Sequence, residues 1–113
     1  MQIIKKSREF TKREIYNLTH SPKSKKLSEC EDEIQVSGFV VYADDEDEGN
    51  RTEITSILAE DGTVYATNSQ TAKKELLFIH DLMAGEPYSI EVVKGQSKNG
   101  RTYVTVTLAG SDE

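Results

Sequence analysis

Hydrophobic and polar positions change their spacing several times along the chain, and each change marks an element. From residue 34 to 42 the run Ile-Gln-Val-Ser-Gly-Phe-Val-Val-Tyr is β-branched and aromatic and predicts a strand, with interior Gly38 marking a bulge or sharp bend. Residues 44–50 read as an acidic turn, and residues 53–59 predict a second strand. Asp61-Gly62 is a tight-hairpin signal leading into a third strand over residues 63–67. The period then lengthens. Ala72, Leu76, Ile79 and Met83 recur at three- and four-residue spacing, which predicts an amphipathic helix over about residues 70–84. Asn68 or Ser69 can cap its start, and Gly85 with Pro87 can end it. A fourth strand is predicted over residues 88–94. After an Asn99-Gly100 turn, a fifth over residues 101–108 alternates Tyr103, Thr105 and Thr107 against Val104, Val106 and Leu108.

The first third of the chain is different in texture. Thr11-Lys12-Arg13-Glu14 fits a capping box, with Phe10 and Ile15 placed as a hydrophobic staple, and predicts a short helix over about residues 12–18 that Pro22 cannot continue. A helix of that length does not persist alone in water. It is expected to dock through Phe10, Ile15, Tyr16 and Leu18. Residues 19–33 read as a polar linker. The chain therefore divides into an N-terminal arm with short helix and linker (1–33), a mainly β domain (34–110) and a short acidic tail (111–113). The order β-β-β-α-β-β is that of the OB-fold, a five-stranded, partly open Greek-key barrel. An SH3-like barrel lacks this helix, and an open α+β sheet is the other architecture with these elements.

Charge changes the picture more than composition does. The 113 residues are 35% apolar and 30% charged, enough for one small core. The net charge of −6 argues against a polyanionic partner until its distribution is considered. Lys5, Lys6, Arg8, Lys12, Arg13, Lys23, Lys25 and Lys26 stand against only Glu9 and Glu14 in residues 1–26, a net +6, which leaves −12 for the rest. A basic arm of this kind contacts polyanions, docks on the acidic body of a neighbouring copy, or is simply solvated.

Other chemistry finds little support. One cysteine, Cys30, excludes an intramolecular disulfide, and with only His20 and His80 beside it no zinc-ligand spacing exists. Glu29 and Glu31 flank Cys30 and disfavour a reactive thiolate. The acidic run Asp44-Asp45-Glu46-Asp47-Glu48 fails the EF-hand pattern. No nucleophile elbow or Gly-rich phosphate loop is present. No apolar run is long enough for a signal peptide or a membrane span. The expectation is a cytoplasmic, non-enzymatic protein with no cofactor, no metal, no membrane contact and no small-molecule substrate.

Four segments carry a resemblance. They are Ser7-Arg8-Glu9-Phe10-Thr11-Lys12-Arg13-Glu14-Ile15-Tyr16, Gly38-Phe39-Val40-Val41-Tyr42, the run from Ile54 to Ser69, and the late hairpin Gly95-Gln96-Ser97-Lys98-Asn99-Gly100-Arg101 with Tyr103. With these the chain resembles the small OB-fold single-stranded-DNA-binding proteins of phages and conjugative plasmids of Gram-positive bacteria. The resemblance implies sequence-independent binding of unpaired DNA, in the host cytoplasm if phage-encoded, during replication or transfer. It also implies side-by-side assembly of copies on the strand, and the +6 arm against the −12 remainder predicts that such assembly runs through the N-terminal arm. RNA is not distinguished from DNA. The acidic end Gly110-Ser111-Asp112-Glu113 lacks the apolar tip by which the better-known bacterial proteins of this function recruit partners.

Such binding needs ring faces for bases and cations for phosphates. Phe39, Tyr42, Tyr65, Tyr88 and Tyr103 fall on predicted strands and cannot all face outward. Phe39 or Tyr65, together with Tyr103, are the expected stackers. Asn68 is a candidate for phosphate or base edges, alongside Thr67 and Ser69, with helix capping as the competing role for Asn68 and Ser69. Lys94, Lys98 and Arg101 on the last hairpin, and Arg8, Lys12 and Arg13 on the arm, are the expected phosphate contacts. The alternative is an acidic OB-fold protein-interaction module or inhibitor that binds no nucleic acid. Its negative body would then do the recognising.

Overall fold

The run that begins at Ile34 becomes the spine of the molecule. In the computed structural model, which describes residues 2–20, 23–30, 33–45, 51–96, 98–100 and 102–109, the elements follow in this order. They are β1 (Gln2–Lys6), α1 (Lys12–His20), β2 (Lys25–Lys26), a 3-10 turn (Leu27–Glu29), β3 (Ile34–Asp45), β4 (Arg51–Ala59), β5 (Val64–Thr67), α2 (Gln70–Met83), β6 (Ser89–Gln96) and β7 (Thr102–Leu108). The five expected strands and their intervening helix are present in the expected order. Asp44 and Asp45 belong to β3 rather than to a turn, paired with Thr52 and Arg51. Glu46, Asp47 and Glu48 of the acidic run lie outside the described residues, as do Pro22, Arg101 and the tail 111–113.

The sheet order is β2-β5-β4-β3-β6-β7, with β1 added on β3, and the sheet curls into a half-barrel. Strand count and closure differ from the five-stranded expectation. The N-terminal segment supplies two further strands. β1 runs antiparallel to the C-terminal half of β3, from Gln2 opposite Ala43 to Lys6 opposite Val40. β2 runs parallel to β5, with Lys25 beside Tyr65 and Lys26 beside Ala66. Among the described residues β5 and β7 share no ladder. The seam between them is bridged by Ser69, whose hydroxyl donates to the Val104 carbonyl at 2.6 Å and accepts from the Ala72 N–H at 3.1 Å. Ser69 is thereby the N-cap of α2, which ends at left-handed Ala84 followed by Gly85 at φ +95°.

β3 is buried on both faces, which explains the unbroken apolar run Phe39-Val40-Val41-Tyr42-Ala43. One set of alternate residues (Ile34, Phe39, Val41) joins Ile57, Leu76, Ile79, Ile90 and Val106 in the core inside the half-barrel. The other set (Val40, Tyr42) joins Leu58, Val64 and Leu18 in a second core outside it, under α1. Each fully buried side chain of this size stabilises the fold by roughly 1.5–3 kcal/mol. The capping box forms as read, Thr11 N–H donating to Glu14 Oε1 at 2.9 Å and Glu14 N–H to Thr11 Oγ1 at 3.1 Å. The Thr11 backbone bond, with Arg8 nearby, holds the Glu14 carboxyl below its ordinary value. Ile15 and Leu18 dock the helix, but Tyr16 does not: it is 58% exposed on the far face. Within the polar segment expected as linker, Leu27 and Cys30 are buried in the inner core.

β3 divides one edge between two partners, giving Ile34 and Gln35 to β6 and residues 40–43 to β1. The N-terminal segment fills the gap. Ser7 N–H donates to the Phe39 carbonyl at 2.9 Å, and Phe39 N–H donates to Ser7 Oγ at 2.8 Å. Arg8 Nε donates to the Ser37 carbonyl at 2.9 Å and its guanidinium covers the Phe10 ring at 4.3 Å. All of this lies over Gly38, at the register shift in the β3–β4 ladder. A Cβ there would stand 2.7 Å from Phe10 Cζ and 3.1 Å from Arg8 Nε. Gly38→Ala is therefore expected to destabilise the fold by about 1–3 kcal/mol in urea unfolding, as overpacking does. In the Phe10→Ala background the same change should cost clearly less, and equal costs in both backgrounds would contradict this packing.

Candidate nucleic-acid interface

The five candidate rings meet different fates. Phe39 is completely buried and makes an edge-on contact with His80 at 5.2 Å between centroids, so it is a core residue and not a base stacker. The reason is the inward-facing half of the β3 alternation, which a bent strand covered on both sides leaves no room to reverse. Tyr42 is buried in the outer core. Tyr88 lies beside His80, its hydroxyl 3.4 Å from Nδ1, and burial pushes its titration up to about 12. Tyr65 packs partly on the inner core and borders a small hollow with Glu33, Glu60 and Asp61, a poor setting for a phosphodiester. Tyr103 alone of the five is an open ring, 41% exposed.

Its geometry is set by the residue across the hairpin. Tyr103 stands directly opposite Gly95 in the β6–β7 ladder. A Cβ at Gly95 would meet Tyr103 Oη at 2.6 Å, Cζ at 2.7 Å and Cε1 at 2.9 Å. The ring therefore lies against the Gly95 backbone, supported from below by a residue with no side chain to tilt it. Glycine inside a strand commonly marks such a close approach.

Tyr103 borders a groove of about 720 Å³ at the open seam of the half-barrel. Its walls come from β2 (Lys26), the start of β4 (Thr52, Ile54), the end of β5 (Ala66, Thr67), the start of β7 (Thr102, Tyr103, Val104), and Ser28, Asn68 and Ser69. Lys26 and Asn68 are exposed there. Because Ser69 is the cap of α2, Asn68 is released from that role and makes no hydrogen bond among the described residues. Among the described residues no carboxylate borders this groove. Each of four smaller hollows on the described surface carries at least one: Glu33 and Glu60, Glu60 and Glu86, Asp61, or Glu33, Glu60 and Asp61.

The structure thus brings together Asn68 and Tyr103 of the expected site residues. Lys94 and Lys98 are exposed on the β6–β7 hairpin that carries Tyr103, and Arg101 lies outside the described residues. Arg8, expected as a phosphate contact, is exposed, and its guanidinium is held by Ser37, by the Glu9 carbonyl at 2.8 Å and by the Glu14 carboxylate at 3.5 Å, so it anchors the N-terminal segment. Lys12 and Arg13 are exposed on α1, away from the groove walls. Lys26 and Thr52 are groove residues that the sequence did not single out. The signal for Lys26 was its neighbour Leu27, an isolated apolar residue in a polar stretch whose burial fixes the lysine at the groove edge. Among the described residues no three His, Cys, Asp or Glu side chains group to hold a metal ion, and no helix is long and apolar enough to cross a membrane.

Compared with known families, the chain matches the phage single-stranded DNA-binding protein family over residues 4–109, and it belongs to that family. No curated protein and no solved structure matches it significantly. Single-stranded DNA is the partner this family implies. The ring geometry at the groove then has a direct test. Gly95→Ala is expected to weaken oligothymidine binding several-fold by lifting the Tyr103 ring, although it removes no aromatic side chain. Fluorescence anisotropy reads this, and unchanged binding would show that the supported ring plays no part.

Proposed function

We propose that this member of the phage single-stranded DNA-binding family coats unpaired DNA during phage or plasmid replication or transfer, in the host cytoplasm, without reading its sequence and without catalysis. The observation that carries this reading is the groove at the seam: on a protein of net charge −6, the largest of the five hollows described above is bordered, among the described residues, by a lysine, an open ring and no carboxylate. A base stacks on the free face of Tyr103, a contact that contributes roughly 1–3 kcal/mol and works for any base. Lys26 neutralises a phosphate at one wall, and Lys94, Lys98 and Arg101 on the hairpin follow the backbone. Asn68 and Thr52 offer uncharged hydrogen bonds to phosphate or base edges. Side-by-side contacts between copies run through β1, whose only strand neighbour among the described residues is β3 and whose Ile4 is 47% exposed.

Few cations reach the groove, so the salt dependence is shallow. Each neutralised phosphate on a single strand contributes about 0.7 to the log–log slope of affinity against salt. Lys26→Ala should reduce that slope by about 0.7. Tyr103→Ala should weaken binding by about 5- to 150-fold, with the slope unchanged. Anisotropy titrations on oligothymidine and on duplex DNA check both, with single strands preferred. Equal affinity for the two, or indifference to both substitutions, would favour the acidic protein-interaction module instead.

A further inference from the structure

The solvent face of α1 is chemically unlike the rest of the surface. Around the helix, Ile15 and Leu18 face the outer core, which turns Lys12, Arg13, Tyr16, Asn17 and His20 to the opposite side. These five are all exposed and span about 12 Å of helix. Tyr16 and His20 stack on one another, with ring centroids 5.8 Å apart and planes 20° from parallel. The face of Tyr16 is thus held by an aromatic neighbour one turn away, at 58% exposure. Lys12 stands one turn before Tyr16, with Arg13 beside it, and neither has an ion-pair partner among the described residues.

That placement runs against helix electrostatics. Cations in a first turn meet the positive end of the macrodipole and lower helix stability by a few tenths of a kcal/mol. Ordinary surface optimisation would put carboxylates there, and Glu14 in the same turn is one. Two unpaired cations and a supported, open ring on one face are the two components of single-strand recognition. A line of cations runs from the helix toward the groove. Asn17 borders a hollow of about 450 Å³ with Lys23, Lys25 and Asp61, and Lys25 is followed in β2 by Lys26 of the groove, the two side chains pointing to opposite faces of that edge strand. Asp61 is the one carboxylate among the described residues that border this hollow. The hydrogen bond from Thr63 N–H, with Lys25 nearby, lowers its titration from the ordinary value, and Lys25 stands against a charge of opposite sign there.

From this we infer that the solvent face of α1 is a second contact for the bound single strand, in which Tyr16 carries a base and Lys12 and Arg13 hold phosphates as the strand leaves the groove past Lys25. This rests on the groove reading above and extends it: the occupant is the same strand, and a strand too short to reach α1 engages the groove first.

The experiment compares oligothymidines of about 4 and about 20 nucleotides on the full chain. On the longer strand, Tyr16→Ala should weaken binding about five- to tenfold, with Tyr16→Phe restoring it. Lys12→Ala with Arg13→Ala should reduce the salt slope by about 1.4. On the shorter strand both losses should be clearly smaller. Because these substitutions remove cations from a helix start, melting temperature should be unchanged or slightly higher, which separates a binding loss from a folding loss. Equal losses on both lengths, or none on either, would overturn the inference. Tyr103→Ala is the control for the groove: it should weaken both lengths. If it weakens both while the α1 variants change nothing, the groove stands and the second contact falls. If it weakens neither, the groove reading itself has failed, and this inference with it.

Discussion

Between its two partner strands, β3 leaves residues 37–39 with backbone groups that no ladder can satisfy, and the N-terminal segment is held in place by satisfying them. Ser7 exchanges two hydrogen bonds with Phe39, and Arg8 takes the Ser37 carbonyl. Left buried and unpaired, each such group would cost about 1–3 kcal/mol. The segment can approach only because residue 38 is glycine and the Phe10 ring can rest on it. Once Ser7 to Phe10 are fixed, Thr11 caps α1 and Leu18 is carried onto the sheet. The outer face of the half-barrel is then closed by its own chain. What stays open is the seam between β5 and β7, and that is where the groove lies.

On the binding proposed above, this arrangement would let an anionic molecule hold an anionic polymer. At physiological salt the screening length is about 8 Å, so carboxylates far from the strand hardly repel it. Local composition decides. Among the described residues, carboxylates border the other hollows, while the groove is bordered by hydroxyls, an amide, apolar side chains and one lysine. The proposed binding would rely on stacking more than on charge. A ring braced against a strand is well suited to it, because little side-chain freedom remains to be lost when a base arrives.

Much of the architecture could be read from local signals. The Thr11–Glu14 box, the α2 periodicity with its cap, the Gly38 irregularity and the two Gly-containing turns each depend on neighbours within four residues, and each formed. β1 and β2 gave no such signal. They are short edge strands rich in lysine, and their existence depends on Val40–Ala43 and on Tyr65–Ala66, far away in sequence. The loss of Phe39 to the core followed from burial on both faces, for which the five-residue apolar run 39–43 was the available clue. Tyr103 was legible from its place on the last strand, whereas the glycine opposite it was not: counting outward from a two-residue Asn99-Gly100 turn pairs Gly95 with Val104, and the ladder is shifted by one residue from that. Tyr16 was misjudged because a short helix needs apolar partners, and its aromatic ring was assigned to docking that Ile15 and Leu18 accomplish without it.

β2 has one more consequence. An uncovered sheet edge invites another chain to add itself, and proteins commonly guard such edges with very short strands and lysines. β2 is two residues long, and both are lysine. Lying along β5, it ends the sheet on that side with a strand too brief and too charged for a further strand to extend. The side chain that borders the groove is thus also part of a guard against aggregation, which matters for a protein that would be crowded against its own copies along a single thread of DNA.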